Sequence, residues 1–565
     1  MEKSEITTAA QSTRPPRSIG APALWALSIA VGAVAGLGAV AFRALIGLFH
    51  NLLFLGKLSA TYDANVHTPP SPWGAFVILV PVIGAVGVAF LVKNFAPEAK
   101  GHGVPEVMDA VYHRMGVIRP VVSVVKAFAS ALSIGSGGSI GREGPIIQIG
   151  SSFGSTVSQV LRLSAWQRIT MIAAGAGGGI AATFNTPVGG VLFAVEIILH
   201  EVSVRTLVPV FTATATATYV GQIFFGPHPS FFIPALETPF FEVTRPVVLV
   251  AYVGLGAITG LVSAAFIWSV YAFEEFFEKR VKGGYYVQHM TGMFVVGVII
   301  YGFMRLFGHY YVEGVGYATI QDVLANLRYP FYLLLLLLAA KLVATSLTLG
   351  SGASGGVFSP ALFLGAMSGA AWGGALNHFF PALKVSPVAF AIAGMGGVVG
   401  GSTAAALAAI VMIFEMTLDY TVILPMTLTV AISYAVRRSL IRDSIYTRKL
   451  ALRGASVPET MRADIHFSRR VEEVMRPATP EMAAAWGITG EAANHYISVS
   501  PETSFAEVIT EMRAKDASEA LVTFKDGVLS SGEVKGIVTR KEILDRLADD
   551  LELFGIEDTP RKSTS

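Results

Sequence analysis

Long apolar runs, separated by short polar or glycine-rich segments, fill most of the first 450 residues of this chain. Several runs reach the roughly 20 residues that a helix needs to cross a ~30 Å hydrocarbon core, and others are too short to cross alone. The pattern predicts an all-α polytopic membrane protein with broken helices. The apolar runs are residues 23–55, 73–92, 120–134, 146–161, 169–182, 188–199, 206–225, 247–276, 286–307, 331–349, 361–376 and 388–414, with a last run ending near 436.

One interruption between apolar runs carries charge. Residues 135–145 read GSGGSIGREGP and include Arg142 and Glu143. Irregular backbone at membrane depth is tolerated only where it is buried in protein or lines an aqueous cavity, and intramembrane charges mark functional sites. Because Pro145 suits the first turn of a helix, Glu143 is expected at a helix N-terminus, the end that binds anions. A tight contact of small residues with Arg142 and Glu143 paired is the simpler alternative.

The composition narrows the function classes. Only 14% of the residues are charged, against about 25% in soluble domains, which supports the membrane assignment. The net charge of +2 gives no indication of a nucleic-acid partner. The absence of cysteine excludes disulfides, thiolate nucleophiles and cysteine-based metal sites, and no HExxH motif is present. We therefore do not expect an enzyme, and we expect no metal and no cofactor.

Two stretches of the chain repeat. Residues 126–150 align without a gap to 341–365, and residues 173–196 align to 392–415. Chance similarity of glycine-rich helices would not match the charged residues as well. The alignment predicts a duplicated core with repeats around 120–200 and 335–420, and duplicated transporters often place broken helices around a midplane site. It does not show whether the halves are inverted.

The alignment of the two repeats pairs a lysine with a lysine and a glutamate with a glutamate, but it pairs the charged Glu143 with an apolar residue. Lys126 meets Lys341, Glu196 meets Glu415, and Glu143 meets Phe358. The two lysines either snorkel to the membrane surface or lie deep and raise the affinity of a vestibule for anions. The alignment leaves both options open.

The ends of the chain differ from its apolar part. Residues 1–20 are polar and contain Arg14 and Arg17, which predicts a disordered tail, and from about residue 451 the composition is that of a soluble domain. Basic residues also follow the last apolar run: Arg437, Arg438, Arg442, Arg448, Lys449 and Arg453. Counting positive charges places both ends in the cytoplasm. We expect three parts, residues 1–20, 21–450 and 451–565.

Motifs along residues 22–450 resemble one family. GHGVP at 101–105, GREGP at 141–145, GGVFSP at 355–360 and Tyr446 occur in the order seen in the CLC chloride channels and chloride/proton exchangers, and residues 184–196 are also similar. The resemblance implies inverted halves and an integral protein of the plasma (inner) membrane. It further implies a homodimer with one independent pore in each subunit, carrying chloride and protons.

The same resemblance implies roles for individual residues. Glu143 would be the gate. A chloride ion needs donors without a full opposing charge, so that it binds but also leaves. Tyr446 taken alone would be an ordinary tyrosine of an interfacial aromatic belt. The implied anion-binding residues are His102, Gly103, Arg142, Gly144, Val357, Phe358 and Tyr446.

Two positions depart from the family pattern. His102 replaces a serine, and because histidine can titrate near neutral pH it puts simple chloride selectivity in question. The alternative is a ring turned aside to the backbone, which leaves Gly103 to face the anion. Ile197 stands where many exchangers carry an internal proton-handling glutamate. A proton route would then use water, His102, or His200 with Glu201, although an interfacial position is the simpler interpretation of the last two.

The C-terminal region resembles a CBS motif. A single copy of a β-α-β-β-α pattern is evident, over segments at 474–477, 499–503, 505–512, 519–524 and 536–539. Thr539 and Glu542 stand where the nucleotide-binding form has a threonine and an aspartate, so nucleotide binding is doubtful. We expect a small α/β cytoplasmic domain that stabilises a dimer without a ligand.

These observations favour chloride transport through a glutamate-gated pore in each subunit, coupled to proton antiport. A gated chloride channel without proton coupling is the alternative. A symporter of another class, sharing only the repeat architecture, is more distant, because it would want carboxylates or carbonyls at the midplane rather than an anion site at a helix N-terminus.

Overall fold

The computed structural model describes most of the chain. The described residues are 18–233, 246–327, 329–455, 457, 462–463, 471, 475–477, 496–501, 503, 508–509, 511–512, 515, 517–523 and 534–542. The disordered tail predicted for residues 1–20 therefore lies almost entirely outside them. The chain divides into two units, Met1–Met461 and Arg462–Ser565, and the exact domain boundaries given above stay predictions.

The first unit is helical. Its α-helices are α1 (Ala21–Leu55), α2 (Val80–Phe95), α3 (Val104–His113), α4 (Val121–Gly135), α5 (Glu143–Val160), α6 (Ala165–Phe184), α7 (Pro187–Phe193), α8 (Val204–Phe225), α9 (Pro246–Arg280), α10 (Gly284–Phe307), α11 (Tyr317–Leu324), α12 (Phe331–Gly350), α13 (Phe358–Phe379), α14 (Pro387–Thr403), α15 (Ala406–Thr417), α16 (Ile423–Leu440) and α17 (Thr447–Leu452). A π-helical segment, Ala194–Leu199, extends α7, and a two-residue strand β1 (Glu201–Val202) follows it.

Within the described residues, seven helices are long and apolar enough to cross a membrane. Other apolar helices are too short to do so, and they include α4, α14 and α15. The predicted mixture of full spans and broken helices is confirmed. The breaks fall where the sequence placed them, because α6 ends before Asn185 in the left-handed conformation and α7 restarts at Pro187.

The halves of this unit are inverted. Glu196, beyond the end of α7, accepts hydrogen bonds from the amides of Leu407 (3.2 Å) and Ala408 (2.6 Å) at the start of α15. Glu415, near the end of α15, accepts from the amides of Val188 (3.1 Å) and Gly189 (2.7 Å) at the start of α7. Each helix thus ends where the other begins, so these repeat-equivalent helices run antiparallel.

The glycine-rich breaks meet at the centre of the duplication. Gly141 donates its N–H to the carbonyl of Gly356 at 2.7 Å, and Gly356 donates to Gly141 at 2.6 Å, in an antiparallel bridge. These two glycines are equivalent in the repeat register, so the pseudo-two-fold axis passes between them. The flanking hydroxyl contacts, Ser130–Ser354 at 2.8 Å and Ser139–Thr345 at 3.4 Å, are the same contact made from each half.

The two repeat lysines bind backbone carbonyls. Lys126 donates to Ala99 (3.0 Å) and Gly101 (2.7 Å), and Lys341 donates to Val312 (3.1 Å) and Gly314 (2.7 Å). Both lysines are fully buried, so the snorkelling alternative is wrong. Each amine satisfies carbonyls of the loop that leads into a short helix, α3 or α11.

Close helix contacts also repeat. Gly150 of α5 packs on Gly175 of α6, and a side chain at either position would collide with the carbonyl oxygen of the other. Gly365 of α13 and Gly394 of α14 form the equivalent contact in the second half. Small residues allow such approach between membrane helices, where packing rather than hydrophobic burial drives association.

The second unit contains a small sheet. After a two-residue strand β2 (Arg462–Ala463), its strands are β3 (Arg476–Pro477), β4 (Tyr496–Val499), β5 (Glu519–Thr523) and β6 (Val534–Thr539). The order is β3-β6-β5-β4, with β4 and β5 parallel and the other pairs antiparallel. Val471, Ile497 and Val522 lie in its core, which confirms the small α/β region.

Thr539 and Glu542 bind each other in this unit. One carboxylate oxygen of Glu542 accepts from the amide and the hydroxyl of Thr539, both at 3.0 Å, and the other lies 2.5 Å from Arg476. Although partial burial acts to raise the pKa of Glu542, the hydrogen bonds from Thr539 and the charge of Arg476 lower it. The two residues at the positions that contact a nucleotide in other CBS motifs therefore already bind groups of this protein.

The reciprocal glutamate caps make a prediction about stability. Glu415→Ala leaves two amides at the start of α7 without their charged acceptor, and we expect a loss of about 2 kcal/mol. Thermal unfolding of the purified protein in detergent measures it. Glu275→Ala, which removes an exposed carboxylate that pairs with Lys279, is the matched control and should leave the melting temperature unchanged. Equal melting temperatures for the two variants would contradict the capping role.

Candidate functional site

Glu143 lies at the first residue of α5 and is 1% exposed. One carboxylate oxygen accepts a hydrogen bond from the Tyr317 hydroxyl at 2.6 Å and another from the Ser359 hydroxyl. The other oxygen accepts from the amide of Ser359, the second residue of α13, at 3.2 Å. The carboxylate thus occupies the N-terminus of α13, a position that attracts anions.

Arg142 is not the partner of Glu143. Within the described part of the chain no ion pair joins them, and the Arg142 guanidinium lies 5.2 Å from the ring centre of Tyr317. Its Nε is buried and has no hydrogen-bond partner in that part of the chain. The simpler alternative, a structural Arg142–Glu143 pair between small residues, is therefore wrong.

A cavity of about 210 Å³ has Arg142 in its lining, and we call it the Arg142 cavity. Tyr317 lines it as well, together with Arg43 and Asp63. Two cationic groups and one anionic group leave a net positive lining. The geometry suits the attraction of a monovalent anion towards Tyr317 and the gate candidate.

A second cavity of about 450 Å³, which we call the Tyr446 cavity, has entirely different lining residues. Tyr446 is 2% exposed, so it is not a tyrosine of an interfacial belt. The lining of this cavity includes three arginines, Arg437, Arg438 and Arg442, and two acidic residues, Glu196 and Asp443.

His102 connects Tyr446 to the gate region. Its ring is 3% exposed and its centre lies 6.4 Å from that of Tyr446. Its carbonyl oxygen packs against Gly144, where a side chain would collide with it. Neighbouring groups therefore run from Tyr446 through His102 to Gly144, the residue after Glu143, and Glu143 in turn binds Tyr317, which lines the Arg142 cavity.

The His102 ring could either face the anion or turn aside to bind the backbone, and its surroundings bear on this choice. Its Nδ1 is buried and has no hydrogen-bond partner among the described residues, so this nitrogen does not bind the backbone. Gly103, in the left-handed region with φ 84°, instead packs against Gln148 of α5. The arrangement favours His102 over Gly103 as the group on the pathway.

Val357 and Phe358 stand at the start of α13 and are buried. The helix begins at Phe358, three residues earlier than the apolar run at 361–376 suggested, which brings both backbones next to the Glu143 carboxylate bound at Ser359. Their position fits the role that the resemblance implies, as donors of backbone amides.

The possible proton-route residues are only partly together. Glu196, Ile197 and His200 line the Tyr446 cavity, whereas Glu201 is not among its lining residues. The Nδ1 of His200 lies 3.0 Å from the Tyr112 hydroxyl, which donates to the carbonyl of Leu199 at 2.8 Å. Within the described residues, no group of three or more His, Asp or Glu side chains is placed to hold a metal ion.

Sequence reasoning missed Tyr317 and Ser359. Ser359 follows Phe358 directly within the GGVFSP motif, and its hydroxyl gave no separate signal. Tyr317 follows GVG at residues 314–316, which matches the GHG of 101–103, so a longer repeat alignment with a two-residue gap would have found the segment. The left-handed φ of 84° at Gly103 and of 79° at Gly316 confirms that the two loops are equivalent.

Known proteins match this chain over the same region. Residues 84–438 match the sequence profile of the voltage gated chloride channel family, and residues 490–549 match that of the CBS domain. The H(+)/Cl(-) exchange transporter ClcA of Citrobacter koseri is 35% identical, over 71% of this chain and 82% of its own length. The protein of the same name from Vibrio parahaemolyticus is 33% identical, over 67% and 79%.

Solved structures share the fold. A slow cyanobacterial Cl-/H+ antiporter superposes with a TM-score of 0.65 and 24% identity, covering 77% of this chain and 99% of its own. A CLC-type fluoride/proton antiporter gives a TM-score of 0.61 and 21% identity, covering 75% and 97%. With the profile match over more than half of the chain, these likenesses confirm the predicted fold, and this chain is a membrane protein of the CLC family of chloride channels and chloride/proton exchangers that carries a CBS domain.

Proposed function

We propose that this protein exchanges chloride for protons across a membrane, through a pathway in each subunit that Glu143 gates. The observation that carries the proposal is the buried Glu143 carboxylate on the Ser359 amide, where a transported anion would compete with it. Relatives described as H(+)/Cl(-) exchange transporters, 35% and 33% identical, support the choice of substrate and of proton coupling. Membership of the CLC family removes the symporter alternative.

The gate works through charge. Ionised Glu143 holds the donors at the start of α13 and keeps an anion out of that place. A proton arriving through the Arg142 cavity neutralises the carboxylate and weakens its hold on those donors. The side chain then leaves, and chloride takes the position that helix amides favour.

The inner half of the pathway uses neutral donors. Val357 and Phe358 offer amides, and Tyr446 offers its hydroxyl from the opposite side. His102 adds a ring nitrogen, which donates to an anion when it carries hydrogen. Because none of these groups other than His102 carries a charge near neutral pH, chloride is bound weakly enough to leave.

Protons need a separate inner route because Ile197 cannot carry them. The Tyr446 cavity is large enough for water, and Ile197 and His200 both line it. We assign the route to water in this cavity, to His200 in its lining, and to His102, whose ring centre lies 6.4 Å from that of Tyr446. Glu201, the next residue after His200, is a second candidate for carrying protons at the same end of this route as His200.

A gated chloride channel without proton coupling is the second candidate function. Ile197 favours it, because an apolar residue also stands there in family channels. The buried Tyr446 and Phe358 favour the exchanger, since a channel would need that constriction relaxed.

The distribution of basic residues supports a proposal for the orientation in the membrane, and the family supports one for the oligomeric state. Because basic residues cluster after the last apolar run and line the Tyr446 cavity, we propose that this cavity opens to the cytoplasm and that both chain ends lie there. We propose a homodimer in the plasma membrane, with the C-terminal unit stabilising the dimer. Bacterial relatives support the choice of membrane.

The first prediction tests the exchanger directly. In proteoliposomes, an outward or inward chloride gradient should drive uphill proton movement in the wild-type protein. Glu143→Gln should reduce proton movement to background while chloride flux persists and no longer responds to external pH, because the glutamine cannot be ionised. A pH electrode and a chloride electrode on the same vesicles measure both.

Two outcomes would contradict this proposal separately. Chloride flux with no proton movement in the wild-type protein at any pH leaves the channel. Full external pH dependence in Glu143→Gln means that another group gates the pathway.

The second prediction concerns His102. His102→Ser removes a titratable donor beside Tyr446, and we expect chloride-over-nitrate selectivity to change about fivefold, the equivalent of one hydrogen bond of ~1 kcal/mol. The measurement is the reversal potential in mixed anions in the Glu143→Gln background, which removes the titration of the gate. His113→Ser, at the far end of α3, is the matched control. Unchanged selectivity and an unchanged pH profile would show that the His102 ring does not face the anion.

The third prediction concerns the C-terminal unit. Because Thr539 and Glu542 already bind each other, we expect ATP and AMP to leave the melting temperature of the full-length protein unchanged. A ligand that bound the folded state would add about 2.7 kcal/mol at a hundredfold excess over its Kd. Glu542→Asp, which restores the acid of the nucleotide-binding motif, is the comparison. A saturable increase in the wild-type melting temperature would overturn the ligand-free assignment.

A further inference from the structure

We propose that the hydroxyls of Tyr317 and Ser359 form a clamp that sets the pH at which the Glu143 gate releases. Both hydroxyls contact the same oxygen of the Glu143 carboxylate, and they lie 2.7 Å from each other. All three side chains are buried. The inference rests on the proposed gating by Glu143, and it adds two positioning residues to it.

The clamp favours one charge state of the gate. Tyr317 donates to the carboxylate, as does Ser359, and a hydrogen bond to an ionised acceptor is roughly twice as strong as one between neutral groups. Protonation of Glu143 weakens both bonds at once, because a carboxylic acid is a poorer acceptor. The two hydroxyls therefore hold Glu143 in place while it is ionised and let it go when it is neutral.

The clamp is rigidly supported. Tyr317 is the first residue of α11, and the loop before it is held by Lys341, whose amine donates to the carbonyls of Val312 and Gly314. The Tyr317 ring also packs edge-on against Phe231, with centroids 5.3 Å apart. A phenol fixed in this way keeps its hydroxyl aimed at the gate without an entropic cost at each cycle.

The clamp also leaves a set of donors behind. When Glu143 departs, the Tyr317 hydroxyl, the Ser359 hydroxyl and the Ser359 amide all lose their acceptor. A buried donor without an acceptor costs about 1–3 kcal/mol, so an incoming anion is favoured at this place. The same groups thus hold the gate closed and receive the anion that replaces it.

Within the described residues, no other group donates a hydrogen bond to the carboxylate oxygens of Glu143. The nearest cation on its own helix is Arg142, stacked on the Tyr317 ring, and the buried cation behind α11 is Lys341, held by carbonyls. The titratable and charged groups that interact with Glu143 or lie beside it from the surrounding elements are Arg142, Tyr317, Lys341 and Tyr446.

The test compares chloride flux against external pH in single hydroxyl deletions. Tyr317→Phe and Ser359→Ala each remove a donor to the ionised carboxylate, so Glu143 should be released at higher pH. We expect the midpoint of each profile to move up by about one pH unit, equivalent to ~1.4 kcal/mol for one charged hydrogen bond. Ser359→Thr keeps a hydroxyl and should restore the wild-type midpoint.

Two controls separate a clamp from a general structural role. Tyr285→Phe removes another tyrosine hydroxyl, one that donates to the Gly352 carbonyl at 2.7 Å, and should leave the midpoint unchanged. In the Glu143→Gln background, Tyr317→Phe and Ser359→Ala should not introduce any pH dependence. These readouts would not respond to a change in packing alone.

The clamp fails if Tyr317→Phe and Ser359→Ala keep the wild-type midpoint while Glu143→Gln abolishes pH dependence, and the proposed gate then stands without it. If Glu143→Gln keeps its pH dependence, the gate itself fails. If Tyr317→Phe does not fold, the contrast between Ser359→Ala and Ser359→Thr decides alone, since an equal midpoint for the two overturns the clamp.

Discussion

Backbone N–H and C=O groups cannot remain unpaired inside a hydrocarbon layer, and this constraint governs how the broken helices of the protein are assembled. Each break in one half finds its partners in the other half or in a buried side chain. Gly141 and Gly356 pair with each other across the pseudo-two-fold axis. Lys126 and Lys341 provide donors for carbonyls of the loops that precede α3 and α11.

The free amides at two helix N-termini are also paired, in this case with an acidic side chain. Glu196 binds the free amides at the start of α15, and Glu415 binds those at the start of α7. A carboxylate at a helix N-terminus satisfies both the donors and the dipole. Glu143 makes the same kind of contact with α13, so the gate candidate is a helix cap that can be removed. What distinguishes it from Glu196 and Glu415 among the described residues is that two side-chain hydroxyls, those of Tyr317 and Ser359, also donate to its carboxylate.

Much of this architecture was predictable from the chain alone. Apolar runs located the spans, glycine and proline located the breaks, and the gapless alignment revealed the duplication. Inversion was not predictable from alignment, because a sequence repeat does not state the direction in which each copy crosses the membrane. The reciprocal caps of Glu196 and Glu415 supply that direction.

The site was predicted less completely than the fold. Motifs placed Glu143, Phe358 and Tyr446 in one region, but the partners of the Glu143 carboxylate came from contacts distant in sequence. Tyr317 lies more than 170 residues beyond Glu143, and its hydroxyl reaches the gate only because the loop before α11 is folded around Lys341. Long-range placement of this kind depends on packing, which local residue patterns do not encode.

The two halves agree in their scaffold and differ in their chemistry. Equivalent positions hold lysine with lysine, glycine with glycine and capping glutamate with capping glutamate, and these residues satisfy backbone and allow close packing. The halves differ at positions around the proposed pathway: Glu143 corresponds to Phe358, Gly144 to Ser359, and Val104 to Tyr317. A fully symmetric protein would present two carboxylates facing each other, and their repulsion would keep one protonated. Replacing one of them by the apolar Phe358 leaves a single carboxylate at the start of α13, bound by the hydroxyls of Tyr317 and Ser359.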